Sequence, residues 1–440
     1  MNLDQLHKVL LEIFNKLKND YLETSSDYFT QTRSFVFNNF YSVKPLVSID
    51  SSLKKTFLFI DAGFKIYELD VALIIPIQIS GLFRDENGLL LSIDKLFDKP
   101  VVDTFIIYAS RKRLGDEYVF SIDIKCLTDR TLLFETESDC IETSNDLNKL
   151  VAELVTFRKH RAPRFFSKIT KYVEGLIEIA YGLKLREFLK KTYGYEPVVV
   201  YDGTLLRWFS IRRRGFNIDG LDIISEILKR EAISVIDELM NVIGLSKTTK
   251  FTTIARSYGL FSSYSNTWTS SRGLYTDINI DGLKLVVEKL LEVLNKYSAL
   301  DFIDETIKVF NRIVYDKHGV YVSRFPITSD FTNVFVADLY SKNQVIGLKS
   351  DNIIVNHIEA NNINHRIHSI VPNLYIYRSK LIGEPPLGYM EIDGFIRYSR
   401  ELAIVFENLF LKTMNYIDEP LLKPLIQAFS STMRMRYGYR

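Results

Sequence analysis

Along the first twenty residues the apolar positions are spaced for a helix. Leu6, Val9, Leu10, Ile13, Phe14 and Leu17 recur three and four residues apart and predict a helix over 3–21. After a polar and aromatic connection to about residue 52, the pattern changes to short unbroken apolar runs, the signature of buried strands. Residues 56–61, TFLFID, form such a run and stop on Asp61. Residues 71–80 and 104–109 predict further strands, the alternation over 117–125 predicts another, and 81–87 reads as a turn region. Val198, Val199 and Val200 open one more buried strand, which ends on Asp202 before Gly203 turns the chain. Two strands thus share one design, an apolar run that delivers a carboxylate at its carboxyl end.

Helical spacing returns over 143–157 and, most clearly, over 166–191. The stripe of that long helix runs through Val173, Leu176, Ile177, Ala180 and Leu183, and continuing it lands on Glu187. The same count puts Glu178 on the far, solvated side. Further helices are predicted over 220–239, 281–300, 301–311, 390–412 and 421–433. Strands are predicted over 241–247, 320–326, 333–339, 352–358 and 374–378, and 257–273 reads as an exposed excursion. Alternating strands and helices argue for an α/β fold with a mixed sheet.

Composition sharpens this picture only a little. With 440 residues, 47% hydrophobic, the chain is long enough for a sizeable core. Its formal net charge of +2 leaves no global basic field, so a nucleic-acid surface has to be a local patch. The amphipathic first helix is neither a signal peptide nor a span, and the longest apolar run, 71–79, is short and contains a proline; a soluble, cytoplasmic protein is expected, with no membrane partner. Cys126 and Cys140 are too few for a disulfide framework and lack zinc-site spacing, which fits a reducing compartment. His365 and His368 lie in NNINHRIHS, which reads as a polar loop. The chain has no Walker lysine loop, no dinucleotide glycine fingerprint and no nucleophile elbow, which argues against an ATPase, a dehydrogenase and an α/β-hydrolase.

The strand ending in Asp61, the helix carrying Glu187, YDGTL at Asp202, VIGLSK ending on Lys247 and the late GEPPLGYMEID together resemble the NurA family of archaeal nucleases. The resemblance spans about 56–408. It implies an RNase H-like mixed sheet flanked by helices, with additional N- and C-terminal helical segments. It also implies a 1–50 helical dimerisation segment followed by a 51–440 nuclease domain, with its core at about 56–250, an insertion at about 257–310, and 311–440 completing the site. The implied activity is that of a manganese (or magnesium) dependent DNA nuclease, a 5′–3′ exonuclease and single-strand endonuclease. Such an enzyme would act as a homodimer beside a HerA-type hexameric ATPase in DNA end resection and double-strand break repair. Motif by motif, the resemblance assigns metal-ligand roles to Asp61, Glu187 (with Glu178 as the alternative), Asp202 and Asp393.

The chemistry wants such residues, because paired divalent ions that activate water and stabilise a departing alkoxide prefer carboxylate oxygens. Lys247 would hold a phosphate or neutralise the transition state. Each has a plainer alternative: Asp61 and Asp202 as turn residues, Glu187 as the partner of Arg186 or a nearby lysine, Asp393 as a helix cap, and Lys247 as a structural lysine. Arg158, Arg161 and Arg164 in RKHRAPR, and Arg212, Arg213 and Arg214 after Asp202, are the candidate DNA contacts, or else solvated faces. The first motif reads Asp-Ala-Gly-Phe where the family commonly reads Asp-Gly-Ser or Asp-Gly-Gly. That change keeps a non-catalytic DNA-binding or adaptor relative open as an alternative, beside an RNase H-like enzyme acting on RNA.

Overall fold

A computed structural model describes residues 3–46, 54–64, 66–68, 72–93, 103–114, 117–127, 132–133, 145, 162–207, 211–213, 216–247, 249–262, 273–329, 333–349, 352–381, 383–396, 405–410 and 412–413. In chain order these hold α1 (Leu3–Ser26), α2 (Tyr28–Phe40), β1 (Tyr41–Pro45), β2 (Phe57–Phe64), β3 (Tyr67–Glu68), β4 (Ala72–Arg84), β5 (Leu90–Ser92), β6 (Asp103–Leu114) and β7 (Glu117–Cys126). Next come α3 (Ala162–Tyr193), β8 (Val198–Asp202), β9 (Ile211–Arg213), β10 (Phe216–Ile218), α4 (Gly220–Leu228), α5 (Ala232–Leu239), β11 (Val242–Ser246) and α6 (Lys250–Ser257). The remainder holds β12 (Leu274–Ile278), α7 (Gly282–Tyr297), α8 (Leu300–Phe310), β13 (Asn311–Tyr315), β14 (Val320–Thr328), β15 (Val334–Ser341), β16 (Ile346–Lys349), β17 (Asn352–Val355), α9 (His357–Leu374) and α10 (Tyr389–Ile396).

These elements fall into two compact units: 1–48, 246–313 and 321–372 form one, and 49–245, 314–320 and 373–440 the other. The expected α/β mixed sheet flanked by helices is the core of the second unit. Its strands run in the order β6-β4-β2-β8-β11, with β7 beyond β6. Pairings β2–β4, β4–β6 and β6–β7 are antiparallel, whereas β2–β8 and β8–β11 are parallel. Numbered by appearance among the five central strands this is 3-2-1-4-5, the order of an RNase H-like sheet. The central strands are apolar on both faces because both are covered. Helix α3 packs against β2, β4, β6, β8 and α4, and α10 against β2 and β4.

In the other unit β1, β12, β14 and β15 form consecutive antiparallel pairs, and β16–β17 is a separate hairpin. A ring cluster of Phe37, Phe40, Tyr41, Phe251 and Phe310 fills part of its core, with Phe40 and Phe310 stacked at 4.3 Å.

Several expectations are corrected. The turn region at 81–87 is strand as far as Arg84, since Gly81 pairs with Ile60 in the β2–β4 ladder. The single helix over 220–239 breaks at Lys229, which takes a left-handed φ of 55° and caps α4. NNINHRIHS is helical, inside α9, and the strand expected over 352–358 stops at Val355. Residues 374–378 form no strand; Arg378 makes an isolated bridge with Pro386. Cys140 and the helices expected over 143–157 and 421–433 lie outside the described residues, residue 145 excepted. Among the described residues no helix is long and apolar enough to cross a membrane.

Candidate active site

Strand alternation decides which way the two aspartates point. In the β2–β8 ladder Ile60 pairs with Tyr201, so Asp61 and Asp202 are the next residues along on neighbouring parallel strands. Leu58 and Ile60 face α3: a Cβ on Gly81 would meet Leu185 of α3 at 2.7 Å and Ile60 and Leu58 at 3.1 Å. Tyr201 faces the same way, donating its hydroxyl to the carbonyl of Ile179 at 2.8 Å. Asp61 and Asp202 therefore share the opposite face with Phe57 and Phe59, where α10 packs.

The start of α10 is shaped to that face. Gly388 takes φ +105°, and any side chain there would land on the Phe59 ring. This brings the hydroxyl of the next residue, Tyr389, to 2.5 Å from Asp202 Oδ1 and 2.8 Å from the carbonyl of Leu245. Burial, then the neighbouring Asp202 charge and its hydrogen bond, then Tyr375 and Asp61, push the Tyr389 phenol well above its ordinary pKa. Tyr389 thus stays protonated and acts as a donor. Asp61 Oδ1 accepts from the backbone N–H of Ala62 at 2.9 Å.

Helix α3 carries the acidic side chains of the other face. Gly182 lies directly over Tyr201, and a methyl group there would land on the Tyr201 hydroxyl and sit 3.1 Å from Ile60. Leu185 sits one turn later, over Leu58 and Ile60, so the helix runs back toward the amino ends of β2 and β8. Glu178, one turn before Gly182 on the same stripe, is displaced along the strands in the direction of Asp61 and Asp202; β2 continues past Asp61 to Phe64, so Asp61 is a strand residue and not the turn former or strand end expected. The expectation of a solvated Glu178 is overturned: it is 3% exposed, and Glu174 is 6% exposed. Periodicity missed this because 173–183 is buried nearly all round, between the sheet and α4, so no single stripe marks the inner face. Glu187 is half-buried and ion-paired with Arg230 and, at 2.6 Å, with Lys191; Arg230 also holds Glu238 at 2.7 Å.

The remaining expected residues are spread more widely. Asp393 is exposed, one turn after Tyr389, and Lys247 is exposed directly after β11. Arg212 and Arg213 belong to the β9–β10 hairpin, and Arg164 lies in the first turn of α3. Arg158, Arg161 and Arg214 lie outside the described residues. His368 is no free loop residue, since its Nε2 is 2.8 Å from Asp277 Oδ2.

Among the described residues, one group of three ligand atoms lies within 4.8 Å of one another: Asp219, Asp222 and His318. Asp61, Glu178 and Asp202 do not close to that spacing. In the compact group Asp219 caps α4 through the N–H of Leu221, and Asp222 returns a bond to the N–H of Asp219. Lys317 donates its backbone N–H to Asp219 at 3.1 Å and its ammonium to Asp222 at 2.8 Å, and His318 Nε2 is 2.9 Å from Asp222. All four carboxylate oxygens are engaged and Lys317 supplies the positive charge. The group is a clasp between a helix cap and a turn, in which a divalent ion would compete with a resident ammonium. Burial, then the Asp222 charge, raises the Asp219 pKa to about 6.

No protein-family profile and no curated protein matches the chain. Solved structures do. The NurA nuclease from Sulfolobus solfataricus overlaps with a TM-score of 0.41 at 10% identity, over 94% of this chain and 98% of that one. NurA with manganese overlaps at 0.36 and 10% identity, over 94% and 100%. NurA bound to dAMP and manganese overlaps at 0.30 and 12% identity, over 92% and 96%. The chain is similar to these proteins along nearly its whole length.

Proposed function

We propose that the chain is a divalent-metal-dependent nuclease that hydrolyses DNA phosphodiester bonds. The observation that carries this reading is the pairing of Ile60 with Tyr201, which sets Asp61 and Asp202 side by side on one face. Two adjacent carboxylates repel unless a cation lies between them, and hard oxygen donors of this kind suit manganese or magnesium. Glu178, buried on α3, is the helix carboxylate we assign to the set in place of the ion-paired Glu187. Asp393 is the fourth, exposed member. The bound ion would activate the attacking water and offset charge on the departing oxygen.

The chain's own residues fix the donor geometry. Tyr389 donates to Asp202 Oδ1 and so constrains which oxygen Asp202 leaves for a cation. Phe59, on the same strand face as Asp61, seats Gly388 and with it the tyrosine. Lys247, Arg164, Arg212 and Arg213, with Arg158, Arg161 and Arg214, remain candidates for phosphate contact. DNA as substrate, manganese as the first ion to test, a homodimer, and a HerA-type ATPase partner in end resection follow from the resemblance of the motifs and belong to the same proposal. Comparing manganese-dependent cleavage of matched DNA, RNA and hybrid substrates tests the substrate: DNA is expected to be cut fastest, and a preference for RNA would overturn that assignment.

Two observations support a second reading. The Asp-Ala-Gly-Phe sequence and the open spacing of the carboxylates suit a DNA-binding relative that has lost full metal affinity. It predicts DNA binding without nucleotide release.

A further inference from the structure

Arg84, the last residue of β4, is 1% exposed and holds no position expected of a site residue. Its guanidinium donates to the carbonyls of Asn373 at 3.2 Å, Leu374 at 3.0 Å, Leu387 at 2.9 Å and Tyr377 at 3.4 Å. It also lies over the rings of Phe57 at 4.6 Å, Phe59 at 5.5 Å and Tyr377 at 5.7 Å. Two of the carbonyls, of Asn373 and Leu374, end α9, the other two, of Tyr377 and Leu387, belong to the segment that leads from it into α10, and two of the rings belong to β2.

That segment is closed on itself as well. The N–H of Leu387 donates to Tyr377 at 2.9 Å, and that of Tyr389 to Pro386 at 3.1 Å. Arg84 pairs with Phe57 in the β2–β4 ladder, so its position is set by the strand that carries Asp61. Leu387, gripped by Arg84, is two residues before Tyr389, whose hydroxyl meets Asp202.

We infer that Arg84 is a positioning residue: it registers the start of α10 against β2 and thereby holds the Tyr389 hydroxyl on Asp202. Burying a cation is costly, and an apolar side chain of similar volume would tie a loop to a sheet without that cost. A planar guanidinium can reach several carbonyls while stacking between rings, which lysine cannot do. Burial lowers the Arg84 pKa to about 10, so it remains charged at neutral pH. The inference rests on the proposed nuclease site, and its test separates the two.

Full-length Arg84→Lys and Arg84→Met are prepared alone and with Tyr389→Phe. Amide exchange over 386–392 and steady-state cleavage of DNA with manganese are measured for each. Faster exchange over 386–392, with exchange elsewhere unchanged, is expected in both single variants. The kcat is expected to fall by about 10- to 100-fold with KM within about twofold, lysine retaining more than methionine, since a shift of about 1 Å suffices for such a loss. In the Tyr389→Phe background the Arg84 substitutions should cost no more than about twofold further. Losses that multiply, or unchanged exchange, would overturn the inference. So would variants that fail to fold altogether, which would make Arg84 a tie for the whole unit. If the wild-type chain cleaves nothing, the nuclease reading fails and the exchange data alone decide on Arg84.

Discussion

The hydroxyl of Tyr389 lies 2.5 Å from Oδ1 of Asp202, a residue 187 positions earlier in the chain. The same hydroxyl is 2.8 Å from the carbonyl of Leu245 on the next strand, so one phenol bridges the ends of β8 and β11. A carboxylate that accepts this bond is fixed in orientation before any ion or substrate arrives. Tyr389→Phe should therefore cost stability modestly, by about 1 kcal/mol, because it removes one donor from a buried site. It should lower metal-dependent cleavage by about tenfold or more. Thermal melts and steady-state rates on the same preparations check both numbers.

Glu178 and Glu187 should separate cleanly. Glu178→Gln is expected to abolish metal-dependent cleavage and weaken manganese binding, measured by calorimetry or by the electron paramagnetic resonance of free ion. Glu187→Gln should leave cleavage near wild type and cost about 1 kcal/mol, through loss of the pairs with Arg230 and Lys191. The reverse pattern would return the helix-ligand role to Glu187.

The contact between α3 and the sheet leaves no room at Gly182. Gly182→Ala should destabilise the unit by about 1–3 kcal/mol, since the new methyl group lands on the Tyr201 hydroxyl. The cost should shrink in a Tyr201→Phe background, where the colliding oxygen is gone. Denaturant titrations of the four combinations measure that coupling directly.

Asp219 gives the fold a pH dependence with a definite sign. Its folded-state pKa is raised from 3.8 to about 6, so the folded chain binds this proton more tightly than the unfolded chain does. Its stabilising contribution is complete below pH 4 and is lost as pH rises through about 6. Asp219→Asn removes this titration but leaves one backbone N–H without its acceptor, so its stability relative to wild type should start lower at pH 4 and rise by on the order of 2 kcal/mol by pH 7. Parallel melts from pH 4 to 7 test this, and an unchanging difference would contradict it.

Much of the central sheet was legible because its strands are buried on both faces and read as plain apolar runs. Asp61 and Asp202 stand out for the same reason, as charges that interrupt such runs; β8 does end on Asp202, but β2 runs on past Asp61 to Phe64, because its pairing with β4 continues. What stayed hidden depended on contacts distant in sequence. Arg84 looked like a turn residue, although a charged residue closing the run that begins at Ala72 was a signal of a buried cation. Tyr389 belongs to GEPPLGYMEID, but only the Gly388 backbone and the Phe59 ring make it the residue that meets Asp202. The burial of Glu178 is hidden in the sequence because a helix covered on two sides has no polar face to contrast with its buried one.

The most direct test of the central claim is manganese-dependent release of nucleotides from end-labelled single- and double-stranded DNA by the wild type, Asp61→Ala and Asp202→Ala. Release by the wild type should stop when the ion is chelated, and both variants should lose about 100-fold or more while still folding cooperatively. Release that persists undiminished in either folded variant would contradict it, as would a wild type that binds DNA and frees nothing.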